Sequence, residues 1–243
     1  MKHLKTIIGV VAICAAFSCT KSQNDGSGYV NFEVISNQMV DDVTKSNVSD
    51  HATLPSASDF SIAIKDAEGT ILWSGKCSDW DPTTPLNEGD FVVEATYGNL
   101  EVEGFNKPYF YGSQTFTVVG KETATVSVPV TLGNTIIKIS CSDYFKSYYT
   151  NYTFKLTRDG ADVVTFAKDD TRGAFIDGYK ISVEGVLTSE TRAHTFSADY
   201  SNLREATAYT LYFDASNVGG STITISFNDT VEEVELGNVE LND

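Results

Sequence analysis

Short runs in which apolar and polar residues alternate recur along most of the chain, and they limit the fold more than any other feature. Clear examples lie at 29–35, 91–97, 126–132 and 135–141. A period of two places consecutive side chains on opposite faces of a β-strand, whereas the helical period of about 3.6 residues is scarce here. Many short strands separated by turn residues are typical of β-sandwiches. The sequence therefore predicts an all-β fold with two antiparallel β-sandwich domains in tandem, immunoglobulin-like or transthyretin-like.

The boundary between the two predicted domains falls near Gly133, where one series of alternating runs stops and a second opens. We predict an N-terminal β-sandwich at 29–132 and a C-terminal β-sandwich at 133–243. One large sandwich or barrel is the alternative. The sequences DAEG at 66–69 and RDG at 158–160 lie between alternating runs, and both predict hairpin turns.

A basic start and an apolar run of ten residues, 7–16, open the chain. That run is shorter than the roughly 20 residues needed to cross a bilayer, so it predicts a secretory signal peptide at 1–18. The run leads into the sequence AFSC, which resembles a bacterial lipobox with Cys19 as the acylated residue. Ordinary signal cleavage at the same bond is the alternative. A flexible tether at 19–28 would connect the lipid to the fold, and the expected location is the outer membrane, with its side left open.

The charge balance excludes one class of partner. The chain has 17 basic and 33 acidic residues, a formal net charge of −16. Loss of Lys2 and Lys5 with the signal peptide takes this value to about −18, since both removed charges are positive. So acidic a surface repels nucleic acid, and no basic stripe offsets it. Membrane contact is therefore expected through the lipid anchor alone.

The chain has too few cysteine and histidine residues to form a recognisable catalytic or metal-binding motif. Outside the signal peptide and the acylation position only Cys77 and Cys141 remain. An exported pair could form a disulfide, but Cys141 continues an apolar alternation and is better explained as a buried small side chain. Neither His51 nor His194 has a neighbouring pattern of nucleophile, base or metal ligand. We expect no metal, no cofactor and no enzyme activity, although the abundant carboxylates leave a glycosidase-type pair open.

Two clusters of aromatic residues are the candidate binding elements. One lies in the glycine-bounded segment 103–113, and the other opens the second half at 144–152. Exposed rings beside polar groups can stack on sugar faces or serve protein interfaces. The alternative is that the rings fill the ends of the sandwiches or the seam between them. The candidate binding residues are Phe105, Tyr109, Phe110, Tyr111, Tyr144, Tyr148 and Tyr149.

The order of several motifs resembles a known family. The sequence DFSI at 59–62 is followed by Trp80, by ATYG at 95–98, by the aromatic segment 103–113, and by a valine-rich strand. This succession is similar to a domain of unknown function found in lipoproteins of Bacteroides-type gut bacteria, mainly over residues 28–150. The resemblance implies an exported, anchored, β-rich protein and brings no established activity.

A weaker similarity is to the fimbrillin-type pilus subunits of the same bacteria. Those proteins combine a lipoprotein signal, two β-sandwich domains and an early basic cleavage site. In this chain Lys45 lies in a polar stretch where such a site would fall, although fimbrillins usually have Arg there. The similarity therefore implies proteolytic processing at Lys45 as a candidate event.

These observations lead to a first hypothesis of a non-catalytic cell-envelope lipoprotein for adhesion or ligand binding. Its partners would be a glycan or a cell-surface protein. The alternative is a fimbrillin-type pilus subunit that assembles with further copies of itself by strand exchange. A carboxylate-based, glycan-active enzyme is the third hypothesis.

Overall fold

The computed structural model describes residues 26–36, 47–190 and 192–215, together with the backbone of two further strands at 222–227 and 236–240. The signal peptide, the acylation candidate Cys19 and the processing candidate Lys45 lie outside the described residues.

The described residues form seventeen β-strands and one short α-helix, which confirms the prediction of an all-β fold. The helix is α1 (Asp143–Tyr148), and three single 3-10 turns lie at Val48–Asp50, Ala57–Asp59 and Cys77–Asp79. The strands are β1 (Ser27–Ser36), β2 (Ser61–Asp66), β3 (Ile71–Lys76), β4 (Leu86–Asn87), β5 (Gly89–Tyr97), β6 (Gly104–Phe105), β7 (Phe110–Val118), β8 (Thr123–Leu132), β9 (Thr135–Cys141), β10 (Asn151–Arg158), β11 (Ala161–Phe166), β12 (Ala174–Ile176), β13 (Lys180–Thr188), β14 (Ala193–Ser201), β15 (Ala208–Asp214), β16 (Thr222–Phe227) and β17 (Leu236–Glu240).

The first half of the chain builds a seven-stranded sheet in the order β3-β2-β5-β7-β8-β1-β4. Side chains from several strands of this sheet share one core, and the Phe32 ring on β1 contacts the Phe116 ring on β7 with centroids 5.6 Å apart, although β8 lies between the two strands. Alternation explains the core directly: Val126, Val128 and Val130 on β8 are buried, while the residues between them are exposed. Apolar burial of this kind supplies the main stabilisation of the fold.

Two strand pairs differ from the antiparallel expectation. β1 pairs with β8 in parallel, and β9 pairs with β15 in parallel. Side-chain alternation is the same in both kinds of ladder, so the sequence pattern does not distinguish them. The strands of each pair are also distant in the chain, and no hairpin forces them to run antiparallel.

The second half places a four-stranded sheet, β11-β10-β13-β14, against a six-stranded sheet, β17-β16-β15-β9-β12-β6. Residues of both sheets share one core, which makes this half a sandwich. That core includes Phe154, Leu156, Val183, Phe196, Ile137, Ile139, Leu211 and Phe213. The predicted hairpin turn at 158–160 is confirmed, with Asp159 and Gly160 both at positive φ between β10 and β11.

One short segment crosses from the first half to the second. β6 follows β5 in the chain but pairs with β12, matching Phe105 to Ala174 and Gly104 to Phe175. Phe175 in turn lies in the core of the first half. The partition into domains 29–132 and 133–243 stays a prediction, and the two halves share contacts on either side of it.

Candidate binding surface

The aromatic segment 103–113 divides into inward and outward residues. Phe110 begins β7 and is 0% exposed, and its ring packs near that of Phe60 in the first core. Tyr111 follows it on the opposite face and is 39% exposed. The role of Phe110 as a candidate binding residue stays a prediction, and in this structure its ring is enclosed by the first core. Strand parity is the physical reason, since consecutive side chains on β7 point to opposite faces.

Phe105 serves to attach this segment to the second half. Its ring makes an edge-to-face contact with Phe166, with centroids 5.1 Å apart, and the Arg172 guanidinium lies 3.7 Å from its centroid. A bidentate ion pair with Asp170 holds that guanidinium in place. Contacts of this kind add to the stability of packed aromatic rings. With these two contacts, the Phe105 ring packs against the protein.

Tyr109 and Tyr111 form a stacked pair at the surface. Their ring centroids lie 5.9 Å apart and their planes differ by 15°. Both rings lie against Gly133, where an added Cβ would be 2.7 Å from Cδ1 of Tyr109 and 3.1 Å from Cδ1 of Tyr111. A glycine at this position therefore gives the two rings room to lie side by side. We call Tyr109 and Tyr111 the tyrosine pair.

Hydrogen bonds from the second half fix the tyrosine pair. The backbone N–H of Tyr109 donates to Oδ1 of the buried Asn134, and the hydroxyl of Tyr111 donates to Oε1 of Glu205 at 3.1 Å. The bond to Glu205 raises the pKa of Tyr111 above its ordinary value, because the carboxylate accepts the hydroxyl proton. The surface thus combines two aromatic rings with an exposed carboxylate acceptor.

The second aromatic cluster is organised by α1. Ser142 caps this helix, its hydroxyl accepting a hydrogen bond from the backbone N–H of Phe145 at 3.0 Å. Phe145 is buried, whereas Tyr144 and Tyr148, which are four residues apart on one helical face, are 46% and 41% exposed. Tyr149 is buried, and burial raises its pKa. The binding roles of Tyr144, Tyr148 and Tyr149 stay predictions, and of the three only Tyr144 and Tyr148 are exposed in this structure.

The structure also contains a cleft that sequence reasoning did not identify. It has a volume of about 380 Å³ and lies between the end of β5 and the aromatic segment. The lining residues are Tyr97, Gly98, Asn99, Val102, Asn106, Lys107 and Pro108. The one signal in the sequence was the clustering of glycine, asparagine and proline, which marks a loop but not a cavity.

The family comparison decides where this chain belongs. A family model described as Domain of unknown function (DUF4493) matches residues 26–242. The chain is a member of the DUF4493 family. This match confirms the resemblance to a domain of unknown function, and it reaches beyond the 28–150 region that the motifs indicated. No curated protein matches the chain.

Several solved structures resemble this DUF4493 chain at low sequence identity. A fimbrial assembly protein from Parabacteroides distasonis has 11% identity and a TM-score of 0.47, covering 74% of this chain and 89% of its own. The fimbrial anchor protein of Porphyromonas gingivalis has 10% identity and a TM-score of 0.42, with coverages of 83% and 96%. A candidate cell adhesion protein from Bacteroides eggerthii has 10% identity and a TM-score of 0.45, with coverages of 86% and 92%.

The described part of this DUF4493 chain also contains two cysteines and many acidic side chains. Cys77 and Cys141 are both free thiols there, and burial raises the pKa of Cys141 to about 12. Within the same residues no group of three or more His, Cys, Asp or Glu side chains is arranged to hold a metal ion. Nor does any helix in them have the length and apolar character to cross a membrane.

Proposed function

We propose that this chain is a non-catalytic binding module of the cell envelope that captures carbohydrate at the tyrosine pair. The observation that carries the proposal is the parallel arrangement of Tyr109 and Tyr111 on the surface, with the Glu205 carboxylate bound to one of them. Single exposed tyrosines occur elsewhere on this surface, but here two rings lie side by side next to a carboxylate, and tyrosine rings with one apolar and one polar end suit such contacts.

Carbohydrate suits this surface for chemical reasons. The apolar C–H face of a pyranose ring can lie against an aromatic ring, and its hydroxyls need nearby acceptors and donors. Glu205 supplies carboxylate oxygens, and the Tyr109 hydroxyl supplies a further polar group. The Tyr111 hydroxyl is bound by Glu205 and the Tyr109 backbone by Asn134, so less conformational entropy is lost when a ligand binds.

A glycan array tests the proposal. The soluble chain from Thr20 to Asp243 is compared with a Tyr109→Ala/Tyr111→Ala double variant, and Tyr179→Ala is the matched control because Tyr179 is 72% exposed elsewhere. We expect the double variant to lose binding and the control to keep it. Equal glycan binding by the double variant, with its thermal unfolding unchanged, would contradict a role for the pair.

Attachment to the membrane through acylated Cys19 is the second part of the proposal. The apolar run and the lipobox-like AFSC sequence support it. A lipoprotein carries several acyl chains, each contributing roughly 0.8 kcal/mol per buried CH₂, so attachment would be stable. Cys19→Ala should abolish fatty-acid labelling and membrane association, and equal labelling of both proteins would end this interpretation.

A pilus-type subunit is the second candidate function, and β1 is the observation that favours it. β1 pairs over most of its length with β8 alone, from Tyr29 to Ser36. It also contributes Val30 to the first core, and Trp80 Nε1 donates to the Val30 carbonyl at 2.9 Å. Removal of this strand would expose a groove that a strand from another copy could fill.

Cleavage after Lys45 tests the second candidate. A protein cut there and stripped of β1 should form oligomers, and a synthetic peptide of residues 27–36 should block them by refilling the groove. Lys45→Ala serves as the control because it removes the cleavage site. A cut protein that keeps β1 bound and stays monomeric would argue against strand exchange.

A further inference from the structure

The cleft between β5 and the aromatic segment is built by close backbone approach. Gly98 has a φ of +79°, and an added Cβ there would overlap the carbonyl oxygen of Pro108. Only glycine therefore lets residues 97–102 and 106–108 meet at the base of the cleft. Tyr97 is held at one side by contact with Phe60, with ring centroids 5.6 Å apart. These contacts make the cleft a formed feature of the fold.

Two asparagines in the cleft lining are oriented as hydrogen-bond donors. Oδ1 of Asn99 accepts the backbone N–H of Glu101 at 2.9 Å, and Oδ1 of Asn106 accepts the backbone N–H of Thr53 at 2.9 Å. A backbone N–H requires an acceptor, so each amide must present its oxygen to the protein. Among the described residues no partner accepts from either Nδ2 group, so each can donate to a ligand.

The charge of the cleft is opposite to that of the chain as a whole. Lys107 lines it, is exposed and has no ion-pair partner among the described residues, and no acidic residue belongs to the lining. Glu103, in the same loop, instead accepts a hydrogen bond from Arg158 at 2.9 Å. A second cavity of about 410 Å³ shows the contrast, because it is lined by Asp66, Glu68, Glu88 and Asp90.

We infer that this cleft binds a sugar unit that carries a negative charge, a carboxylate or a sulfate ester. Lys107 would pair with the anionic group, and the amide donors of Asn99 and Asn106 would bind its oxygens or neighbouring hydroxyls. Tyr97, which is half-buried, and the exposed Val102 supply the apolar surface for the sugar ring, above the buried Pro108. The cleft residues differ from the tyrosine pair, so this site stands whether or not the tyrosine pair binds carbohydrate.

Titration calorimetry with the chain from Thr20 to Asp243 tests the inference. The probes are tetragalacturonate, its fully methyl-esterified neutral form, a sulfated chondroitin tetrasaccharide and inorganic sulfate. We expect the wild type to bind at least one charged oligosaccharide and to bind the neutral ester at least tenfold more weakly. Preference for the uronate or for the sulfate ester identifies which charged group the cleft takes. Equal affinity for charged and neutral forms, or binding of inorganic sulfate as tight as that of the saccharides, overturns the inference.

Variants that keep the fold localise the binding to the cleft. Asn99→Asp and Asn106→Asp retain the structural Oδ1 acceptor but replace the Nδ2 donor with a negative oxygen. Lys107→Gln removes the charge, Lys107→Arg restores it, and Lys180→Gln is the matched control on β13. Loss of a hydrogen bond to a charged group predicts roughly tenfold weaker binding or more for the first three variants. Unchanged affinity in all three, with unfolding midpoints like the wild type, refutes the assignment.

Discussion

Phe110 and Tyr111 are adjacent in the chain and should differ sharply in their effect on stability. Phe110 is completely buried in the first core, and a buried phenylalanine removes about 150–250 Å² from water. At about 25 cal/mol per Å² this corresponds to ~4–6 kcal/mol, and measured truncations of buried Phe to Ala cost about 3–5 kcal/mol. Tyr111 keeps part of its ring in water and contacts Gly133 and Glu205, so Tyr111→Ala should cost about 1–1.5 kcal/mol.

Urea unfolding followed by tryptophan fluorescence measures this difference. Both tryptophans of the chain, Trp73 and Trp80, pack in the first core, so their emission reports the part that contains Phe110. We expect Phe110→Ala to lower the free energy of unfolding by at least about 2 kcal/mol more than Tyr111→Ala. Phe110→Leu, which keeps most of the apolar volume, is the control and should fall between wild type and Phe110→Ala. A gap below about 1 kcal/mol would refute the assignment of the two residues to opposite faces.

Three further predictions concern backbone contact, thiol ionisation and the link between the halves. Gly112→Ala should lower the unfolding free energy by about 1–3 kcal/mol in the same assay, because its Cβ would overlap the Pro129 carbonyl oxygen. Burial raises the pKa of the Cys141 thiol from 9.0 to about 12, so the folded state favours the neutral thiol. The stabilisation that comes from the raised pKa is fully present below pH 9 and is lost as the pH rises towards 12. Between these two pH values the free energy of unfolding of Cys141→Ala should therefore fall less than that of the wild type. Glu103→Gln weakens the ion pair with Arg158, which is 2.9 Å long and mostly shielded from solvent, and should speed limited proteolysis of residues 98–109.

The strands could be predicted because alternation is a local property. On β8 the buried valines and the exposed residues between them follow from sequence parity alone. The turn at 66–69 is likewise local, with Gly69 at positive φ and its N–H bonded to the Asp66 carbonyl. Such features need no knowledge of which strand lies next to which.

The pairing of distant strands could not be predicted in the same way. The parallel ladder of β1 with β8 leaves the alternation of both strands unchanged. The two-residue pairing of β6 with β12 is too short to give a period, and α1 is a helix of only six residues. These elements are determined by tertiary packing, notably the burial of Phe145 and the contact of Phe105 with the second core.

The candidate site was only partly predictable for a related reason. The aromatic cluster was visible in the sequence, and strand parity could have separated Phe110 from Tyr109 and Tyr111. The cleft could not be found this way, because it depends on Gly98 meeting Pro108 across a loop whose path the sequence does not define. Its donors were equally hidden, since the orientation of each amide follows from backbone N–H groups elsewhere in the fold.

Different residues of the segment 98–109 have different roles: those in its middle attach it to the second half, and several on its flanks are exposed to solvent. Its middle is fixed to the second half, where Glu103 binds Arg158 and the Asp177 backbone N–H, and where Phe105 packs under Arg172. Fixing the middle holds both flanks in place without covering them. The flanks can therefore keep the Asn99 and Asn106 amide donors, which have no acceptor among the described residues, and an exposed lysine in a defined geometry, which lowers the entropy cost of binding. A loop fixed only at its ends would not hold its flanking residues in one geometry. We therefore expect a ligand to bind at the flanks of segment 98–109 and not at its middle.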